Sequence, residues 1–172
     1  MGSGGLGYTS ELDAGSYPIT AKDIWGFAES QETVCVSPEM FEEFIFPYQE
    51  KLLSLFGLNC YGCCEPLDKR WHVVKRFKNL RRVSVSTWAD YSKMAEYLEN
   101  KYIFSYKPSP TDLAVPNIHE DYIRKNIRDF LQATKGCVIE LLMKDNHTLG
   151  NNPGNLKNWV KIVRQEIDRI YK

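Results

Sequence analysis

The chain has 172 residues, which is enough for one domain with its own hydrophobic core. Its 22 basic and 22 acidic residues cancel, so no net charge draws it to nucleic acid or to an anionic membrane surface. No stretch approaches the roughly 18 apolar residues that a membrane-spanning helix needs, and the glycine-rich residues 1–5 lack the features of a signal peptide. We therefore expect a soluble, cytoplasmic protein.

The first predicted unit is a loop segment over residues 1–36, which begins with many glycine and serine residues. A helix follows, because Ser37 is a good N-cap and Pro38 fits the first helical position. Apolar residues then recur at helical spacing as far as Gly57, which is expected to end this helix.

Strands and helices alternate from there to the end of the chain. Strands are predicted over residues 58–63, 80–86, 102–106 and 137–143, and helices over residues 68–77, 90–100, 120–134 and 153–171. Strand followed by helix, four times over, predicts an α/β fold whose parallel sheet has right-handed crossovers.

The number of units decides which α/β architecture we expect. A complete (β/α)₈ TIM barrel needs about 250 residues, whereas this chain supplies about four parallel βα units. Short units of this kind occur in a TIM barrel or in a doubly wound sheet. The prediction is a TIM-barrel half, and the loop-like start and helical end of the sequence suit the C-terminal half. A half-barrel leaves two sheet edges and one face open, so we expect it to form an oligomer or to pair with a complementing N-terminal half.

The most informative motif lies at the end of the first predicted strand, where residues 60–67 read Cys-Tyr-Gly-Cys-Cys-Glu-Pro-Leu. Thiolates and carboxylates at a strand's carboxyl end are typical of metal or catalytic sites. Cys63 is the candidate zinc ligand, and strand alternation predicts that at most one of Cys63 and Cys64 faces the site. Cys60 is expected to serve packing. Glu65 is a third ligand, a general base, or an acid that interacts with the next helix dipole.

The cysteine count bears on the same motif. The chain has five cysteines, an odd number that favours free thiols or metal ligands over a disulfide framework. Cys60 and Cys63 form a C-x-x-C pair, but no second pair follows at zinc-ribbon spacing, so a closed structural zinc site is not expected.

Other candidate residues follow the later strands. His147 comes after the last strand and could bind zinc, with Asp145 orienting its ring. Trp88 and Lys107 follow the second and third strands, and both are candidates for substrate binding, as is Asp145. Lys107 suits an anionic substrate, and a solvated lysine is the alternative. Glu140, inside the last strand, has no assigned role. The basic run that includes Arg82 is interpreted as a solvated loop.

Three stretches, in order, resemble the uroporphyrinogen decarboxylase-like superfamily. Residues 37–44, followed by residues 47–48, resemble the helix before that family's active-site strand, and residues 60–67 fall where the family carries an H-x-C-G strand end. His147 followed by residues 153–156 resembles the family's closing motif. The resemblance covers roughly residues 35–170, so residues 37–172 are interpreted as a half-barrel domain of this kind.

The resemblance implies zinc-dependent methyl transfer to or from a corrinoid carried by a partner protein. Zinc held by Cys63, Glu65 and His147 would activate a thiol or ether oxygen of a small-molecule substrate, with Glu65 and His147 as the catalytic residues. Tyr61 stands where the family's zinc-binding branch has a histidine. The alternatives are a cofactor-free decarboxylase of the uroporphyrinogen type, which acts in tetrapyrrole biosynthesis, and a non-catalytic half-barrel that needs a partner chain.

Overall fold

The architecture is an all-parallel sheet with helices, described by a computed structural model for residues 9, 11–12 and 18–171. Five strands lie in the order β1-β2-β3-β4-β5, and each neighbouring pair is parallel. The strands are β1 (Trp25–Ala28), β2 (Leu58–Tyr61), β3 (Leu80–Ser86), β4 (Ile103–Lys107) and β5 (Val138–Leu141). This sequential order is compatible with part of a βα barrel, because right-handed crossovers then place every helix on the same face.

Six α-helices of the described part of the chain connect or follow these strands. They are α1 (Pro38–Phe44), α2 (Phe46–Leu53), α3 (Trp71–Val74), α4 (Tyr91–Leu98), α5 (Glu120–Ala133) and α6 (Gly154–Tyr171). The Ser37 side chain accepts a hydrogen bond from the Met40 amide at the start of α1, as its position before a proline predicts. In the part of the chain that the structure describes, no helix is long and apolar enough to cross a bilayer.

Two local predictions are corrected. The single helix expected over residues 38–56 is broken at Ile45, because Pro47 has no N–H to continue the helix and instead fits the first turn of α2. Strand β1 lies inside the segment predicted as loop over residues 1–36, so the sheet has five strands rather than four. Residues 1–8, 10 and 13–17 of that segment lie outside the described residues.

Strand β1 is held closely against its neighbour through Gly26. A Cβ atom at this position would lie 2.3 Å from Asn59 Oδ1 and 2.5 Å from the Phe56 ring. Only glycine permits that approach, so the small residue that weakens the strand signal in the sequence is what lets β1 join the sheet.

The main core fills the face of the sheet that the helices cover. One apolar cluster joins buried residues of all six helices to Tyr61, Val83, Val85 and Phe104 of the strands. The alternate residues of the same strands point to the opposite face. Near the amino ends of the strands that face is apolar, with Trp25, Cys60 and Ile103 in a second, smaller cluster.

Candidate functional site

The cysteine motif leaves the strand at a glycine turn. β2 ends at Tyr61, and Gly62 has a φ of 99°, in the left-handed region that favours glycine. Cys63 and Cys64 therefore lie in a turn, where strand alternation does not apply. Their sulfur atoms are 3.8 Å apart, and both contact Lys144, so the prediction that at most one of them faces the site is wrong.

Lys144 connects this turn to the end of β5. Its Nζ donates to Cys63 Sγ at 3.1 Å and to Cys64 Sγ at 3.2 Å, and it forms an ion pair with Asp145 Oδ2 at 2.8 Å. The Cys64 thiol in turn lies 3.8 Å from Asp145 Oδ2. We call Cys63, Cys64, Lys144 and Asp145 the dithiol centre.

The dithiol centre joins the ends of two strands that are not neighbours. β2 and β5 are separated by three strand spacings of roughly 4.8 Å each. The residues that follow these strands bridge this distance together with the Lys144 side chain. We call the face of the sheet opposite the helices the concave face, because sequential parallel strands with their helices on one face have the arrangement of part of a βα barrel. Residues from the carboxyl ends of distant strands thus meet, which is where parallel α/β folds place their sites.

Protonation of the centre follows from burial and from its contacts. Burial raises the pKa of the Cys63 thiol to about 11, a hydrogen bond to Glu29 acts in the same direction, and Lys144 only partly opposes them. Burial disfavours the charge of Lys144, but hydrogen bonds to Asp145 and to both thiols outweigh it and raise the pKa of Lys144. At neutral pH the centre therefore holds an ammonium group beside a protonated Cys63.

Glu65 holds the turn in place. Its Oε1 accepts from the Ser30 amide and its Oε2 from the Cys63 amide, both at 2.8 Å, and the side chain is buried. These bonds connect the turn to the segment that follows β1. Each carboxylate oxygen accepts one of these bonds and keeps a second lone pair. The predicted roles of Glu65 as a metal ligand and general base stay predictions.

His147 is exposed, and its backbone N–H donates to the Asp145 carbonyl at 2.9 Å. Within the described ranges, no three His, Cys, Asp or Glu side chains form a group that could hold a metal ion. The structure thus does not bring Cys63, Glu65 and His147 together as a ligand set. Zinc binding by these residues stays a prediction.

A cavity of 210 Å³ opens beside the dithiol centre. It is lined by Cys64, Lys144 and Asp145 together with Trp88 and Lys107, so the three residues predicted to bind substrate share one cavity. Trp88 is 77% exposed at this cavity, whereas Lys107 is only 3% exposed. Burial, reinforced by the nearby charge of Lys144, lowers the pKa of Lys107.

A buried polar network lies behind this cavity on the concave face. Arg82 donates to Cys60 Sγ at 3.1 Å and to Ser105 Oγ at 2.8 Å, and it pairs with Glu140. The Arg82 side chain is fully buried, so its interpretation as part of a solvated loop is wrong. Its position on β3 points it inward, and Glu140 on β5 is its partner.

Sequence reasoning missed Lys144 as a site residue. It stood in the polar run after the last strand, but only Asp145 and His147 of that run were assigned. The available signal was a lysine directly after an apolar strand; its partners, the thiols, lie 80 or more residues earlier in the chain.

Comparison with protein-family models, with curated proteins and with solved structures finds no match for the chain. The resemblance to uroporphyrinogen decarboxylase-like proteins therefore rests on the sequence motifs alone. The function has to be argued from the site.

Proposed function

We propose that the dithiol centre and the cavity beside it form the reaction site of an enzyme that acts on a small anionic substrate. The observation that carries the proposal is the position of Lys144, which contacts both thiols while it lines the same cavity as Lys107. The lysine side chains that would bind an anion and the thiol that would react with it thus lie at one cavity.

The groups that line the cavity favour binding of an anionic substrate. Two ammonium groups face it, accompanied by the hydroxyl groups of Ser86, Thr87, Ser109 and Thr111. The one carboxylate in the lining, that of Asp145, is already paired with Lys144. Lys107 is buried, so its attraction for an anion is screened less than that of a surface lysine.

The size of the cavity supports a substrate much smaller than a tetrapyrrole. At 210 Å³ it lies below the roughly 300–1,000 Å³ of pockets that hold drug-sized ligands. This favours the methyltransferase interpretation over the decarboxylase alternative.

Cys64 is the residue placed to react, because it is the thiol that lines the cavity. In the proposed step an S–C bond forms between Cys64 Sγ and a carbon of the substrate while the bond from that carbon to its leaving group breaks. The leaving group takes the bonding electron pair and the thiol's proton. The Lys144 ammonium, 3.2 Å from Cys64 Sγ, stabilises the thiolate that attacks.

Zinc-dependent methyl transfer is a more specific version of the proposed function. Two thiols suit zinc, and the Lys144 ammonium lies within 3.2 Å of both. Zinc held by the two thiols would require Lys144 to move away and a further ligand from the substrate or solvent, and it would supply Lewis acidity. The corrinoid partner stays a prediction from the resemblance.

Alkylation with a charged and a neutral reagent tests the anion site and the reactive thiol together. At each cysteine we compare the rate of modification by iodoacetate with the rate by iodoacetamide. We expect this ratio of rates to be about fivefold higher at Cys64 than at the exposed Cys35, which corresponds to about 1 kcal/mol of attraction. The measurement is the rate of modification at each cysteine by fragmentation mass spectrometry. Lys107→Met should remove this preference, and Lys125→Met on the exposed side of α5 should leave it unchanged. Equal preferences at Cys64 and Cys35 would refute the proposal.

A second set of variants tests the metal. After dialysis against zinc, Lys144→Met should retain more zinc than the wild-type chain, and Cys63→Ser/Cys64→Ser should retain none, as measured by plasma mass spectrometry. If the Lys144→Met protein holds no stoichiometric zinc, the zinc mechanism is excluded while the anion site still stands on the alkylation result.

A further inference from the structure

A second cavity lies on the other side of the sheet, among the helices, and the proposed reaction does not use it. Its volume is 110 Å³. Tyr91 of α4, Tyr106 of β4, Tyr122 of α5 and Trp159 of α6 line it, and Asp112 faces it from the 3₁₀ turn Pro110–Leu113. Four aromatic rings and one carboxylate thus surround a small space, which we call the aromatic cage.

Two of the rings, those of Tyr91 and Tyr106, meet at an angle. Tyr91 and Tyr106 have ring centroids 6.0 Å apart and an interplanar angle of 70°. Tyr106 also stacks on Phe130 at 4.1 Å with an angle of 11°, which fixes its plane. Aromatic faces carry partial negative charge, so walls of this kind attract a cation that is placed between them.

The Asp112 carboxylate adds negative charge to that of the aromatic faces. Asp112 makes no ion pair and no side-chain hydrogen bond with any residue in the described ranges, although its side chain is partly buried. Among the residues that the structure describes, no lysine or arginine lines the cavity. Tyr106 stays neutral, since burial raises the pKa of its phenol to about 12. Asp112, which has no side-chain partner among the described residues, therefore faces a cavity lined by aromatic side chains.

We propose that the aromatic cage binds a small alkylammonium cation of the size of a trimethylammonium group. Aromatic rings with a nearby carboxylate are the general solution for such cations, because they replace water around a charge too diffuse to form strong hydrogen bonds. The volume of 110 Å³ admits a headgroup of this size, and it is too small for a drug-sized ligand. The proposal is independent of the reaction at the dithiol centre.

Calorimetric titration with choline tests the cage directly. We expect saturable binding of choline at least tenfold tighter than that of 3,3-dimethyl-1-butanol, which has the same shape and no charge. Asp112→Asn should weaken choline binding at least fivefold. Tyr48→Ala, at a 75% exposed position on α2, is the matched control and should leave the affinity unchanged.

A separate variant protects the test against misfolding. Tyr122 is 57% exposed, so Tyr122→Ala should keep the fold and still weaken choline binding. Absence of saturable choline binding to the wild-type chain would overturn the proposal. So would equal binding of the uncharged analogue, or an unchanged choline affinity in both the Asp112→Asn and the Tyr122→Ala proteins.

Discussion

The two faces of the sheet are both buried, yet they are built from opposite kinds of residue. On the face that the helices cover, Val83, Val85 and Phe104 are fully buried and purely apolar. On the concave face, Arg82 and Ser105 of the same strands are just as inaccessible. Burial therefore does not identify the core of this protein; the presence or absence of polar partners does.

The concave face also changes along its length. Trp25 and Ile103 make it apolar near the amino ends of the strands, and Ser105 and Lys107 make it polar farther along. Arg82 is the register partner of Ile103, and its guanidinium extends to Ser105. The dithiol centre lies at the polar end. One face of the sheet therefore packs apolar side chains, whereas the other holds charged groups toward the carboxyl ends of the strands.

Truncation on the apolar face should have the largest effect. Phe104→Ala removes a fully buried ring that packs against Phe130, and no polar group is left behind to recover water. We expect it to lower the free energy of unfolding by roughly 3–5 kcal/mol, as measured by urea denaturation. A loss below about 1 kcal/mol would mean that this face is not the close-packed core described here.

A matched truncation on the concave face should cost somewhat less. Arg82→Met leaves Glu140, Cys60 and Ser105 without the guanidinium, and we expect a loss of roughly 2–4 kcal/mol. The side chain of Glu140 is 27% exposed, so part of its charge can be rehydrated.

The double variant Arg82→Met/Glu140→Met distinguishes the burial of an ion pair from the burial of apolar side chains. Removing both charges should recover about half of the loss, because the penalty comes mainly from the charge left unpaired. No second substitution on the apolar face should rescue Phe104→Ala in this way. If the double variant is less stable than Arg82→Met alone, the ion pair is not what makes Arg82 costly to remove.

Loss of a single neutral partner should have the smallest effect. Ser105→Ala removes one hydrogen bond to Arg82 and keeps its ion pair with Glu140, so we expect roughly 1–2 kcal/mol. The same urea measurement applies. A cost equal to that of Arg82→Met would show that the network acts as a unit and not as separate contacts.

The regular elements were largely predictable because their signals are local. The bounds of β3 agree with the prediction, and Asp90 begins α4 by accepting hydrogen bonds from two amides of its first turn. β1 was not predicted, since its four residues include a glycine and carry no alternating pattern. The break in the first helix had a local cause, Pro47, that was present in the sequence.

The candidate site was predictable in part. Trp88, Lys107 and Asp145 were named from their places after strands, and the structure puts all three on one cavity. Their roles in substrate binding stay predictions. Lys144 and Arg82 were not recognised, because a lysine or arginine in a polar run resembles a solvated one until its partners are known.

The sequence by itself determined where strands and helices alternate, that the sheet is parallel, and that thiols and polar groups follow the strands. These properties depend on side-chain periodicity and caps, which act over a few residues. Only the tertiary structure decided that both thiols contact Lys144, that Glu65 holds the turn, and that Arg82 is buried. Each of these depends on groups that are tens of residues apart in the chain and that only the fold brings together. Local sequence patterns carry no information over such separations.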